Sequence, residues 1–187
     1  MKLEIDPLQR QRTSDDTSHD RLCVLRDPHR TLIALADGAD SQEAAQTAAG
    51  RTVAELARCF RGGVLPEDPR DWVMILEGID HAVLADSDAG ETSALVMLVQ
   101  QGVVMGASVG GSLAYVARAE GKGQLLSPGA QKSPRIGTGL ASPAGFGPFE
   151  LDGKLITRRP ARVGPPRLAP IAANRRLPER EPLDRRG

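Results

Sequence analysis

The residues best placed for chemistry are two aspartates in the first quarter of the chain. Asp37 closes the apolar run Thr31-Leu32-Ile33-Ala34-Leu35-Ala36 and is followed by Gly38. A carboxylate leaving a buried strand beside an unobstructed main-chain carbonyl offers two hard oxygens to a hard cation. The same residues also serve as a plain turn and cap, so the tripeptide alone leaves both readings open. Asp20 stands just before a second apolar run, Leu22 to Leu25, and Arg26-Asp27-Pro28-His29 separates the two runs. That pattern predicts a hairpin. Antiparallel pairing sets the start of one strand beside the end of the other, which brings Asp20 and Asp37 to a single rim. Two ionised carboxylates held so close repel, so the pair calls for a divalent cation, a proton or open solvent.

The other reactive residue types read more plainly. Cys23 and Cys59 are the only cysteines, too few for a disulfide framework or a four-ligand zinc site, and a reducing compartment is expected. Cys23 sits between Leu22 and Val24 in a strand and reads as a small core filler, as does Cys59 beside Phe60 at a helix end. His29 lies in a turn. His81, near Asp80 and Glu77 on a helix, reads as a solvated or locally paired side chain. Gly106, Gly110 and Gly111 lack the Lys and Ser/Thr that complete a phosphate loop, which excludes that mode of nucleotide binding.

These residues need a frame. The run Thr31 to Ala36 is apolar at nearly every position and suits a strand covered on both faces. After Asp37 to Ser41, where Asp40 or Ser41 can cap, Gln42 to Phe60 repeats apolar residues at three- and four-residue spacing and predicts an alanine-rich amphipathic helix. Gly62-Gly63 and the prolines of 66 to 69 interrupt, and a second helix opens at Asp68 or Asp71 and runs to about Asp86. Its stripe is Trp72, Ile75, Leu76, Ile79, Ala82 and Val83. Thr92 to Val99 and Val103 to Val109 predict two strands joined at Gly102, and Ser112 to Ala117 another. Gly121 to Gly147 is rich in Gly, Pro and Ser. Beyond it, Phe149 to Leu151 and Leu155 to Thr157 flank Asp152-Gly153 and predict a further hairpin. Strands and helices that do not alternate predict an α+β layered fold with segregated helices.

Composition bounds the rest. The 187 residues hold 24 basic and 24 acidic side chains, room for one domain with no overall charge to attract nucleic acid. The balance hides a split: residues 154–187 carry ten basic and three acidic side chains, or +7, and the first 153 carry 14 and 21, or -7. With repeated prolines and no period, residues 158–187 read as a disordered Arg/Pro-rich tail. Aromatic residues are 3% of the chain, which leaves little for stacking on single-stranded nucleic acid, and no specific nucleic-acid partner is expected. No window reaches the roughly 18 apolar residues of a membrane span, so a cytoplasmic protein without membrane partners is expected.

Several fragments together resemble the metal-dependent protein serine/threonine phosphatases, the PPM or type 2C family. Ser18-His19-Asp20-Arg21-Leu22 is similar to that family's acidic amino-terminal motif Asn-Glu-Asp, and Ala36-Asp37-Gly38-Ala39-Asp40 to its Asp-Gly-Met-Gly-Gly motif before an alanine-rich helix. Gly90-Glu91-Thr92-Ser93-Ala94 resembles its Gly-Ser/Thr-Thr-Ala strand entrance. Ser108-Val109-Gly110-Gly111-Ser112-Leu113-Ala114-Tyr115-Val116 is similar to its Asn-Val-Gly-Asp-Ser-Arg-Ala-Tyr-Leu signature, and residues 135–146 to later loops. The likeness covers about residues 18–156.

The resemblance implies an α-β-β-α sandwich, incomplete at the C-terminal side, over residues 1–157. It implies a centre of two Mg or Mn ions at the sandwich end, with Asp37 bridging, the Gly38 carbonyl as a ligand and Asp20 assisting. The implied reaction is hydrolysis of phosphoserine and phosphothreonine monoesters by metal-activated water, with a phosphoprotein or a regulatory protein as partner. The chain departs from the pattern at His19, where the family has Glu, at Gly111 in place of Asp and at Leu113 in place of Arg. The family's two late aspartates have no counterpart, and Arg158-Arg159-Pro160 stands where an Asp-Gly is expected. Those departures keep a second reading open, that of a noncatalytic pseudophosphatase or truncated fragment that acts in protein binding.

Overall fold

The computed structural model describes residues 19–39, 42–63, 65–117, 123–127, 134–151 and 154–158. The predicted hairpin forms from β1 (Asp20–Arg26) and β2 (Arg30–Gly38). Asp27 closes its turn: one carboxylate oxygen accepts from the backbone N–H of His29 at 2.9 Å and of Arg30 at 3.0 Å, and the other from Arg30 Nε at 2.7 Å. A short side chain that satisfies the turn's own donors is what makes Asp a turn former. Helix α1 (Gln42–Arg61) follows, and α2 (Pro69–Leu84) is capped by Asp68, which accepts from the Arg70 N–H at 2.8 Å with Pro69 in the first turn. Pro there sacrifices no intrahelical bond.

β3 (Thr92–Gln100) and β4 (Val103–Val109) turn at Gln101 and Gly102, both with positive φ, 53° and 81°. Two left-handed residues make the turn whose twist matches a hairpin, and glycine takes the second at no steric cost. β5 (Leu113–Ala117), β6 (Gly123–Leu125), β7 (Ala144–Glu150) and β8 (Lys154–Arg158) complete the chain. They assemble into a five-stranded antiparallel sheet, β1-β2-β3-β4-β7, and a three-stranded one, β6-β5-β8.

Period-two alternation sorts the side chains of the large sheet. Leu32, Ala34, Val96 and Leu98 point to one face and pack with Leu56, Trp72 and Leu76 of the helices. Ile33, Leu95, Met97 and Val99 point to the other and meet Ala114 and Val116 of the small sheet and Leu126 just after β6. β2 and β3 are therefore apolar on both faces, as their continuous runs predict. The result is an α-β-β stack with both described helices on one side.

Two sequence expectations fail. Residues 149–157 do not form a hairpin: β7 pairs with β4 in the large sheet and β8 with β5 in the small one, so the chain crosses between layers where a turn was expected. Two short apolar runs around Asp-Gly carry no information on whether the runs face each other or face a common core. The stretch 121–147, read as irregular, holds β6 and most of β7. Asp152-Gly153, the capping residues Asp40 and Ser41, and the tail from 159 on lie outside the described residues.

Candidate metal centre

The hairpin register places Asp20 directly opposite Asp37, with Arg21 opposite Ala36 and Leu22 opposite Leu35. Directly opposed residues on antiparallel strands have Cα atoms roughly 4.5–5.5 Å apart and side chains on one face. That face is the one carrying Ile33 and Leu35, so both carboxylates lie on the face turned toward the small sheet, at the end of the hairpin away from its turn. Both residues are half-buried, and Oδ1 of Asp37 is fully buried. Asp20 and Asp37 are thus brought together as the sequence predicts.

Gly38 occupies a site closed to side chains. A Cβ there would lie 2.7 Å from the Ala45 carbonyl oxygen and 2.8 Å from its Cβ, so α1 rests on the backbone of β2. The Ala39 N–H donates to the Glu91 carbonyl and the Gly90 N–H to the Ala44 carbonyl, each at 2.9 Å. These bonds fasten the rim to α1 and to the start of β3. Ser93, opposite Asp37 on β3, donates from Oγ to the Asp37 carbonyl at 3.4 Å, and Ser112 Oγ reaches Ser93 Oγ at 3.5 Å. His19 is half-buried, and its Nε2 has no hydrogen-bond partner among the described residues.

Two facing carboxylates and a neighbouring carbonyl are hard oxygen donors of the kind Mg or Mn takes, with water filling the remaining positions. Among the described residues no group of three or more His, Cys, Asp or Glu side chains is placed to hold a metal ion. The donors among the described residues are of the kind one hard cation takes and are too few for a two-ion centre.

Sequence reasoning missed the device beside this rim. Asp80 is 2% exposed, and its carboxylate accepts from the N–H groups of Gly137 at 2.7 Å, Gly139 at 3.0 Å and Ala141 at 3.0 Å. Gly137 and Gly139 have φ of 96° and 72°, which curl the loop around the acid. The same loop is tied to β3, since Ile136 and Thr92 exchange two backbone bonds of 3.0 Å. Just before it, Arg135 Nη1 lies 3.8 Å from Glu91 Oε2. A Cβ on Gly110 would come within 2.6 Å of Ser93 Cβ and 3.5 Å of Arg135 Cγ, so the arginine stem stands over the same rim as Ser93. The signal for Asp80 was in its position: Leu76, Ile79, Asp80 and Val83 fall on one helical face, and an acid on an apolar stripe needs a buried partner.

The bland readings elsewhere agree with the geometry. Cys23 packs against the helix-side core, and burial pushes its thiol up, with Arg61 opposing. A raised thiol stays protonated near neutrality and is a poor nucleophile. His81 is exposed. No described helix is long and apolar enough to cross a membrane. At the expected place of a late acidic motif, β8 ends at Arg158, which pairs with Leu113.

No protein-family model matches the chain, and no curated protein matches it in sequence. Solved structures do. A bacterial serine phosphatase, in a form bearing a point mutation, is 21% identical with a TM-score of 0.57, the match covering 77% of this chain and 65% of that one. The serine/threonine phosphatase Stp1 from Staphylococcus aureus is 17% identical with a TM-score of 0.55, over 77% and 66% of the two chains. RsbX in complex with magnesium is 16% identical with a TM-score of 0.53, over 71% and 61%. The likeness is one of fold: this chain has the fold of the PPM-type serine/threonine phosphatases and spans about 65% of the length of the first of these structures.

Proposed function

We propose that this chain is a metal-dependent phosphatase-type domain, in which Asp20, Asp37 and the Gly38 carbonyl hold Mg or Mn and the substrate is a phosphoserine or phosphothreonine monoester in a protein. One observation carries the reading: Asp20 and Asp37 are register partners on one face at the rim of a two-layer sandwich. Like charges so placed destabilise a hairpin unless a cation, a proton or solvent relieves them, and hard oxygens on one face suit the cation. A divalent ion, when bound, supplies an acidified water and neutralises charge on the phosphoryl oxygens. The protein's own part is to aim the donors. Asp37 is held by β2 between β1 and β3, and Gly38 lets α1 close against the strand end. The side-chain hydroxyl of Ser93 steadies the Asp37 backbone.

A second reading, a noncatalytic pseudophosphatase that binds a phosphoprotein or regulatory protein, is favoured by the lack of a third metal-ligating side chain among the described residues. Release of phosphate from a phosphoserine peptide decides between them. The first reading expects release that depends on manganese and is lost in Asp37→Asn, together with a manganese-induced rise in melting temperature that Asp37→Asn also abolishes. Folded protein that releases no phosphate at any manganese or magnesium concentration establishes the second.

A further inference from the structure

We infer that the outer face of the small sheet is a docking surface for a segment of this same chain, Val163-Gly164-Pro165-Pro166-Arg167-Leu168-Ala169-Pro170-Ile171. Ala114 and Val116 of β5 enter the core, so Leu113, Tyr115 and Ala117 alternate to the outside. The register sets Leu125 of β6 and Ile156 of β8 on either side of Tyr115, in one row across the sheet. Leu125 is 42% exposed. Both described helices pack on the large sheet, and none of the described helices covers this row.

Where the chain goes next identifies the occupant. β8 ends at Arg158, opposite Leu113, and residues 159–187 continue from that point. Tyr115 lies two residues along β5 and one strand over, roughly 8 Å away by strand rise and spacing. Residues 159–162 reach about 13 Å when extended, enough to bring Val163 onto the row. Composition selects the same stretch. Arg159 and Arg162 precede it and Arg175 and Arg176 follow it, whereas residues 163–173 hold a single charge, Arg167. Its prolines favour an extended conformation that loses little entropy on binding and lies well against aromatic and aliphatic side chains. A second copy of the chain meets the same row at the added cost of association, which a segment tethered beside it avoids. Composition alone reads residues 158–187 as disordered; the row gives this stretch an apolar surface to order against.

Tyr115 is the one tyrosine of the chain, so the full chain produced with 3-fluorotyrosine gives a single fluorine resonance at the row. In wild type that resonance is expected to be shielded from a soluble gadolinium chelate. Leu168→Asp combined with Ile171→Asp, which alters only residues beyond β8, is expected to raise the paramagnetic relaxation several-fold, and a peptide of residues 163–171 added to this variant to reverse the rise. Leu125→Asp is expected to raise it from the sheet side. Equal relaxation in wild type and the tail variant overturns the inference. Shielding that fades on dilution also overturns it and gives the row to a second copy. Should Leu125→Asp not fold, the tail variant and the peptide decide.

Discussion

In the large sheet β3 is buried at eight of nine residues, whereas in the small sheet β6 is exposed at all three. The two sheets share one interior, yet only the large one is covered on its outer face by described helices. Burial on both faces makes each β3 residue count, because every side chain removes apolar surface from water whichever way it points. In β5 only alternate residues, Ala114 and Val116, reach the core. The acidic rim belongs to the better-built layer: Asp37 is on β2, with a neighbour on each side and α1 beneath. The small sheet acts as the lid of the interior rather than as the carrier of the site.

That contrast predicts a gradient of mutational cost. Trp72 is fully buried among the helix-side core, so Trp72→Ala should lower stability by about 3–5 kcal/mol in urea denaturation. Asp80→Ala leaves three loop N–H groups without their acceptor and should cost about 3 kcal/mol, with hydrogen exchange accelerated across residues 136–141 rather than in α2. A matched pair sharpens the comparison: Val96 and Val116 are 0% and 2% exposed, one in each sheet. Val96→Ala should cost about 2 kcal/mol and Val116→Ala about 1 kcal/mol, since a layer with no described helix on its outer face relaxes around the lost methyls. Equal losses would erase the distinction drawn between the sheets.

The smallest effect concerns the edge of the large sheet. The Arg30 side chain, with the His29 and Arg30 N–H groups, holds the Asp27 carboxyl below its ordinary value of 3.8. A carboxyl lowered on folding stabilises the folded state above its ordinary range, and that contribution is lost as pH falls through its folded value. Acid should therefore loosen the β1–β2 turn locally, visible as early shifts of the His29 and Arg30 amide resonances. Asp27→Asn should show no such step.

How far the fold was legible depended on whether local chemistry and tertiary role coincided. The first hairpin and α2 were readable because Asp27 and Asp68 close their own turn and cap with neighbours in sequence. β3 and β4 were readable because Gly102 suits the turn between two apolar runs. β7 was not, since Ala144-Gly145-Phe146-Gly147-Pro148 has the composition of a loop and becomes a strand only through pairing with β4. Its glycines answer to tertiary neighbours: a Cβ on Gly145 would lie 3.0 Å from Pro69 at the start of α2. At the site, the pairing of Asp20 with Asp37 followed from hairpin arithmetic. The Asp80 loop did not, because its partners are 57 to 61 residues away and backbone amides carry no side-chain signature.

The turn at Asp27 has one more implication, for the order of folding. Asp20 and Asp37 belong to strands joined by Asp27, Pro28 and His29 alone, so closing that loop costs little chain entropy. β8 has to find β5 across some forty residues and waits on the crossing from the other layer. The acidic pair is thus expected to assemble by a fast, nearby event, on about the microsecond scale typical of hairpins, before the distant strand arrives.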